Sequence, residues 1–285
     1  IVKMQQKFLA PLKLIPHRQP FVLVDGITQV EFGNYAQGFI KDIGAYPFFQ
    51  QLKLLPKDNK ELLLIEALKV NSQQQKAFAC ITVQKLMPLF AGHFPSRPIF
   101  PGALTLAALA ETAYHLLQQL QPEAKGLFLK NLTNWRFKQL IVPENKVELQ
   151  VEVKADGIFS GQASVANKVA ASGRLTFSSS KELKSKAAKA LPGAAFLPAA
   201  LLIEALAEVG AVAVLGLPEN KGKVAFLASL DKWEFKQPPQ ARQQLTLKAA
   251  LVDLRLSFGK GRFTASSEAK EIAAGEMLFG FGEKS

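Results

Sequence analysis

Proton-transfer chemistry needs few residues here. His93 stands in 91–102, AGHFPSRPIFPG, a Gly- and Pro-rich stretch directly before a long apolar run. Glu204 and Glu208 lie inside 191–217, LPGAAFLPAALLIEALAEVGAVAVLGL. A neutral imidazole, with an ordinary pKa of about 6.5, can accept a proton at neutral pH. A carboxyl in so apolar a segment should be pushed up by burial and stay partly protonated, able to donate. Singly, each is a weak signal. A lone His after Gly is often a turn residue, and an isolated Glu in an apolar helix is more often an interface feature. Other chemistries are poorly supplied. Cys80 is the single cysteine, and His17, His93 and His115 are the three histidines. These counts argue against a disulfide framework, a Cys-based zinc site and a multi-His metal centre. His17, in PHRQPF, reads as structural, capping the start of the first strand, and His115 reads as a packed helix side chain. Gly259-Lys260-Gly261 reads as a hairpin turn rather than a phosphate loop.

The elements that must position these groups are duplicated. NLTNWRFKQ (131–139) matches SLDKWEFKQ (229–237), placing Trp135 against Trp233 at an offset of 98. PIFPGALTLAALAE (98–111) matches AFLPAALLIEALAE (195–208), placing Pro101 against Pro198 and Glu111 against Glu208 at an offset of 97. A further match joins 22–49 to 63–90 at an offset of 41, with Asp25 against Glu66 and Pro47 against Pro88. The first copy is therefore continuous, over 58–182. The second is split, over 1–51 plus 190–285, with the first inserted into it. Residues 52–57 and 183–189 read as linkers, the latter within lysine-rich SSSKELKSKAAKAL.

Each copy reads as two strands, a Pro/Gly turn, a long apolar helix (about 102–119 and 199–215), then strands. The late strands are expected at 127–130, 133–140, 146–154, 158–166 and 169–177. Those of the second copy are expected at 223–230, 232–237, 243–253, 260–267 and 270–282. The matched tryptophans read as core packing. One apolar helix among antiparallel strands implies an α+β arrangement, with two antiparallel sheets each wrapped around a central helix. Its glutamates argue against 191–217 as a membrane span and for a buried core helix. The chain lacks a recognisable secretory signal and does not begin with Met, as expected of a trimmed chain or a piece of a longer polypeptide. A cytoplasmic or similarly reducing compartment is expected. Across 285 residues, 35 Lys+Arg against 23 Asp+Glu give a net charge of +12, and 48% are hydrophobic. That excludes disorder as the main state and favours an acidic partner.

FAGHFPSRPIFPGALTLAALAE resembles the signature of the (3R)-hydroxyacyl-ACP dehydratases, which have the hotdog fold. IPHRQPFVLVDGI (15–27) and KGKVAFLASLDKWEFKQP (221–238) resemble the same family's first and later strands. In that family an acid follows the His by fourteen residues, and paired hotdogs exchange these groups across a dimer. Here Ala107 lies fourteen residues after His93, and Ala190 lies fourteen residues before Glu204. Each copy has lost the opposite half of the pair. The resemblance thus implies one composite site, His93 of the first copy with Glu204 of the second, and a degenerate site at Ala107 and Ala190. In that site His93 would take an α-proton and Glu204 would protonate the departing hydroxyl. The backbone at Gly102, opening the helix, would supply oxyanion donors.

The resemblance further implies dehydration of (3R)-3-hydroxyacyl-ACP to the trans-2-enoyl form, without a metal or redox cofactor. The partner would be acidic acyl carrier protein, with Phe94, Pro95 and Arg97 as substrate or carrier contacts. Glu111 and Glu208 stand where the family usually has Gln and read as polar supports, with Glu111 also a possible backup acid. Pseudo-dimers could assemble further. Modular polyketide dehydratases are also double hotdogs, but their motif has Gly where this chain has Arg97. Rival readings are a non-catalytic carrier-binding or scaffold subunit of a synthase, or a hotdog thioesterase or enoyl hydratase. Nucleic-acid binding is the weakest option, since the lysines are scattered.

Overall fold

Alternating burial along the strands sets the architecture. In β6 (Lys146–Ala155), Val147, Leu149 and Val151 are buried while Glu148 and Gln150 face outward. This period-two pattern makes a sheet with one apolar face. The computed structural model describes residues 14–19, 21–45, 62–83, 89–155, 157–179 and 196–283. In chain order the other strands are β1 (Gly26–Glu31), β2 (Tyr35–Ile40), β3 (Glu66–Asn71), β4 (Lys76–Thr82), β5 (Leu127–Phe137), β7 (Ile158–Val165) and β8 (Lys168–Ser179). After these come β9 (Lys223–Phe235), β10 (Leu245–Leu254), β11 (Phe258–Ser267) and β12 (Lys270–Glu283). The helices are α1 (Gly102–Leu120) and α2 (Leu197–Leu215).

The twelve strands among the described residues form one antiparallel sheet, ordered β1-β2-β10-β11-β12-β9-β5-β8-β7-β6-β4-β3. The expectation of two sheets is corrected. The halves meet at a seam where β5 pairs with β9, with Leu132 opposite Trp233 and Trp135 opposite Leu230. Pairing satisfies backbone groups that two separate sheets would expose along their edges. Helix α1 packs on β3, β4, β6, β7 and β8, while α2 packs on β1, β2, β9, β10 and β11. The early hairpin β1–β2 joins the late strands through β10. The expected linkers, 52–57 and 183–189, lie outside the described residues, as does Ala190.

Two strands expected to break into pairs run through. β5 continues across Asn134 and β9 across Lys232, residues 98 positions apart that both have positive φ. A shared bulge lets each strand shift register without ending. Gly259-Lys260-Gly261 is not a turn: it lies within β11, and the chain reverses at 255–257.

Helix α2 is apolar around its whole circumference and long enough to cross a membrane, yet 94% of its apolar window is buried inside the protein. Pro198 sits in its first turn, where its missing N–H costs nothing. The matched tryptophans are both buried. Trp135 donates Nε1–H to Arg174 O at 2.8 Å, and Trp233 to Glu276 O at 3.0 Å. Each ring covers a glycine, where a Cβ would lie 2.5 Å from Trp135 at Gly173 and 2.3 Å from Trp233 at Gly275.

Candidate active site

The loop before α1 is folded on itself. Gly92 N and His93 N donate to Leu89 O, Arg97 N to Phe94 O, and Ile99 N to His93 O. The His93 ring completes this lock, with Nδ1 2.8 Å from Ile99 O. A carbonyl only accepts, so Nδ1 carries the hydrogen and Nε2 is left to act as a base. The loop also docks on residues 15–21. Arg18 N donates to Gly92 O at 2.9 Å, and a Cβ at Gly92 would sit 2.3 Å from Arg18 O.

On the opposite wall, α2 presents Glu204. His93 Nε2 lies 3.5 Å from Glu204 Oε1. The two groups come from opposite halves of the sheet. Both are buried, and they line one pocket with Gly102 and Thr105 from the first turn of α1. The pocket spans about 840 Å³ including its open mouth, within the usual range for ligand sites. Ala207 and Ala211, on the same face of α2 as Glu204, extend its apolar wall.

His17 belongs to the site, which corrects its reading as a strand cap. Its Nε2 lies 3.5 Å from the same Glu204 oxygen. Its ring meets Phe94 edge-on at 4.8 Å and His93 at 5.2 Å between centroids. PHRQPF opens the half that also supplies Glu204, but its residues carry only strand-start signals and do not mark His17 as a site residue.

The protonation of Glu204 also departs from expectation. Burial pushes this carboxyl up, but contacts with His17 and His93 outweigh burial and bring it to about 2. It is therefore a carboxylate while the histidines face it. Burial lowers the pKa of His17 and favours the neutral ring.

His17, His93 and Glu204 offer ligand atoms within 4.8 Å of one another, a set that could in principle hold a divalent cation. His93 fits such a role, because its second nitrogen has a carbonyl partner. His17 fits poorly. A metal on Nε2 would force the hydrogen onto Nδ1, which is buried and has no partner among the described residues.

The remaining candidates are spread around the pocket. Phe94 is buried and stacks on His93 with centroids 4.0 Å apart. Pro95 is exposed on the outer turn of the loop. Arg97 is half-buried, its guanidinium 5.2 Å from the centre of the Phe226 ring that lines the pocket. Gly102 opens α1, and a Cβ there would press on Phe137 at 3.2 Å. Ala107 is buried in α1 away from this pocket. Glu111 and Glu208 are committed elsewhere. Glu208 accepts from Leu23 N and Val24 N, and Glu111 from Leu63 N and Leu64 N. Burial pushes Glu111 up to about 7 and Glu208 well above its usual range. His115 is partly buried on α1, edge-on to Tyr114, and burial lowers its pKa.

Known proteins resemble this chain in sequence and in fold. The family model of the ApeI-like dehydratases matches residues 69–174, within the first half. The 3-hydroxyacyl-[acyl-carrier-protein] dehydratase FabZ of Halalkalibacterium halodurans is 42% identical over 83 residues, covering 29% of this chain and 59% of its own. FabZ of Enterococcus faecalis is 42% identical over 91 residues, 32% of this chain and 64% of its own. Over part of its length this chain is similar to the hydroxyacyl-ACP dehydratases. It spans less than two thirds of the length of these curated relatives. The dehydratase domain from the CurJ module of curacin polyketide synthase matches at a TM-score of 0.54 and 14% identity, over 78% of this chain and 98% of its own. The CurF dehydratase domain matches at 0.51 and 11%, over 76% and 98%. That likeness is one of fold, and it extends the hotdog fold across both halves.

Proposed function

We propose that the chain dehydrates (3R)-3-hydroxyacyl thioesters carried by acyl carrier protein, giving the trans-2-enoyl thioester and water at one composite site. The observation that carries this reading is the 3.5 Å approach of His93 Nε2 to Glu204 Oε1 across the two halves, at the base of a largely apolar pocket.

The substrate enters between these groups, its acyl chain along Ala207 and Ala211. His93 Nε2 takes a proton from the carbon next to the thioester carbonyl. The electron pair left behind forms the new double bond as the β-carbon–oxygen bond breaks. Glu204 gives its proton to the departing hydroxyl, which leaves as water. Charge developing on the thioester oxygen is met by the amides opening α1 at Gly102, aided by the helix dipole. The chemistry moves two protons and asks for no metal or redox cofactor.

Turnover leaves imidazolium beside carboxylate. The carboxylate is the form that Glu204 takes in the free site, where contacts with the histidines bring it to about 2. A proton passing from His93 Nε2 to Glu204 Oε1 restores the starting form. A substrate between them separates Glu204 from His93, and burial then holds the proton on the carboxyl.

The test is dehydration of a 3-hydroxyacyl carrier substrate by His93→Ala and Glu204→Gln. Each should lose at least about 10²-fold in kcat, the usual worth of one acid–base group. Near-wild-type turnover by either would overturn the composite site. Wild-type binding of acylated carrier without turnover would replace catalysis by a scaffold role.

A further inference from the structure

We propose that His17 is a positioning residue for Glu204: a neutral imidazole with its hydrogen on Nε2 aims that N–H at Glu204 Oε1 and holds the carboxyl facing His93. The inference rests on the dehydratase reading for its catalytic consequence, though the tautomer can be tested without it.

Three observations carry it. The first is position: His17 Nε2 and His93 Nε2 each lie 3.5 Å from one carboxylate oxygen. The second is the far side of the ring. His17 Nδ1 is buried and has no hydrogen-bond partner among the described residues. A neutral imidazole carries one ring hydrogen, which would meet no acceptor at Nδ1 but faces a carboxylate oxygen at Nε2. The hydrogen therefore belongs on Nε2, the nitrogen facing Glu204. The third is rigidity. Arg18 Nη1 donates to Ile15 O at 2.9 Å and His17 O at 2.7 Å, and Arg18 N is tied to Gly92 O. Further along the same segment, Glu208 accepts from Leu23 N and Val24 N.

The charges facing His17 agree. Glu204 from α2 favours a donor and the cationic form. His93 from the site loop, Arg18 beside it in the chain and burial disfavour the cation, and the ring's pKa is lowered. Glu208, one turn beyond Glu204, is pushed well above its usual range by burial and by the Glu204 charge. A neutral donor stabilises the carboxylate without introducing another buried cation. The two histidines thus differ by tautomer. His93 directs a lone pair at the pocket, because Ile99 O holds its other nitrogen, and His17 directs an N–H.

His17→Phe keeps the ring packing on Phe94 and removes the donor, whereas His17→Gln keeps an N–H near the same place. Removing the donor makes the carboxylate less favourable. Both limbs of the kcat–pH profile should then move to higher pH in His17→Phe, with kcat down about 10-fold, and return toward wild type in His17→Gln. A purely structural role would lower the unfolding temperature and leave the limbs in place, which would overturn the proposal. Ring ¹⁵N NMR of the wild-type protein reads the tautomer directly. A bare Nδ1 and protonated Nε2 at His17 are expected near neutral pH, and an Nδ1–H tautomer would overturn the inference even if the variants fail to fold. A wild-type protein inactive on every hydroxyacyl carrier substrate would overturn the dehydratase reading, while the NMR result would still decide the tautomer.

Discussion

At the scale of single residues, the site depends on close backbone approach as much as on acids and bases. Gly92 is the clearest case. Its missing Cβ leaves room for Arg18 O at 2.3 Å and Phe21 N at 2.8 Å. Those neighbours are backbone atoms, and moving them means moving the segment that carries His17. Gly92→Ala should therefore separate that segment from the His93 loop. A displacement near 1 Å can cost about 10²-fold in rate, so a fall of that order in kcat is expected with a milder loss of thermal stability. Unchanged turnover by Gly92→Ala would mean that this docking does not set the geometry. His93 and Glu204 were legible from motif and duplication. His17 was not, because its sequence neighbourhood carries only strand-start signals. Its chemistry arises from a carboxylate 187 positions away.

At the scale of elements, the duplication shows in how each helix fastens a strand start. Glu208 on α2 holds Leu23 N and Val24 N, and Glu111 on α1 holds Leu63 N and Leu64 N. The helices and most strand periods could be read from the sequence, since apolar alternation and an unbroken apolar run are local signals. The continuity of β5 and β9 could not, because a bulge at Asn134 or Lys232 looks like a strand end until its partner is known. The anchors also predict a pH response. Burial raises Glu111 from 4.5 to about 7. A carboxyl raised on folding gives stability that is fully present below its unfolded value and lost as pH rises through the folded one. Moving from 4.5 to about 7 corresponds to about 3 kcal/mol. Thermal unfolding between pH 4.5 and 7 should show wild type losing stability relative to Glu111→Gln, a permanent mimic of the neutral acid. Parallel pH curves for the two would contradict this.

At the scale of the whole molecule, one sheet makes one site from two halves. The seam fixes β5 against β9, and pocket walls come from both strands through Phe137 and Leu227. The repeats in the sequence pointed to two copies, and the structure places His93 and Glu204 of the two halves 3.5 Å apart. The sequence could not reveal the fused sheet, because the pairing joins residues about a hundred positions apart with no local mark. The charge of +12 belongs to this scale too. Arg97 stands over the ring of Phe226, which lines the pocket, and the proposed carrier would present its acidic surface there. Charge attraction between exposed surfaces is screened over about 8–10 Å at ordinary salt. Capture of a carrier-bound substrate should therefore weaken as salt rises, and turnover of a small thioester lacking the carrier should not. Arg97→Glu should raise KM severalfold for the carrier-bound substrate at low salt, leave kcat little changed, and leave the small thioester unaffected. Equal effects on both substrates would place Arg97 in the acyl pocket instead of on the carrier surface. Salt-independent KM for the carrier-bound form would separate the basic charge from carrier recognition altogether.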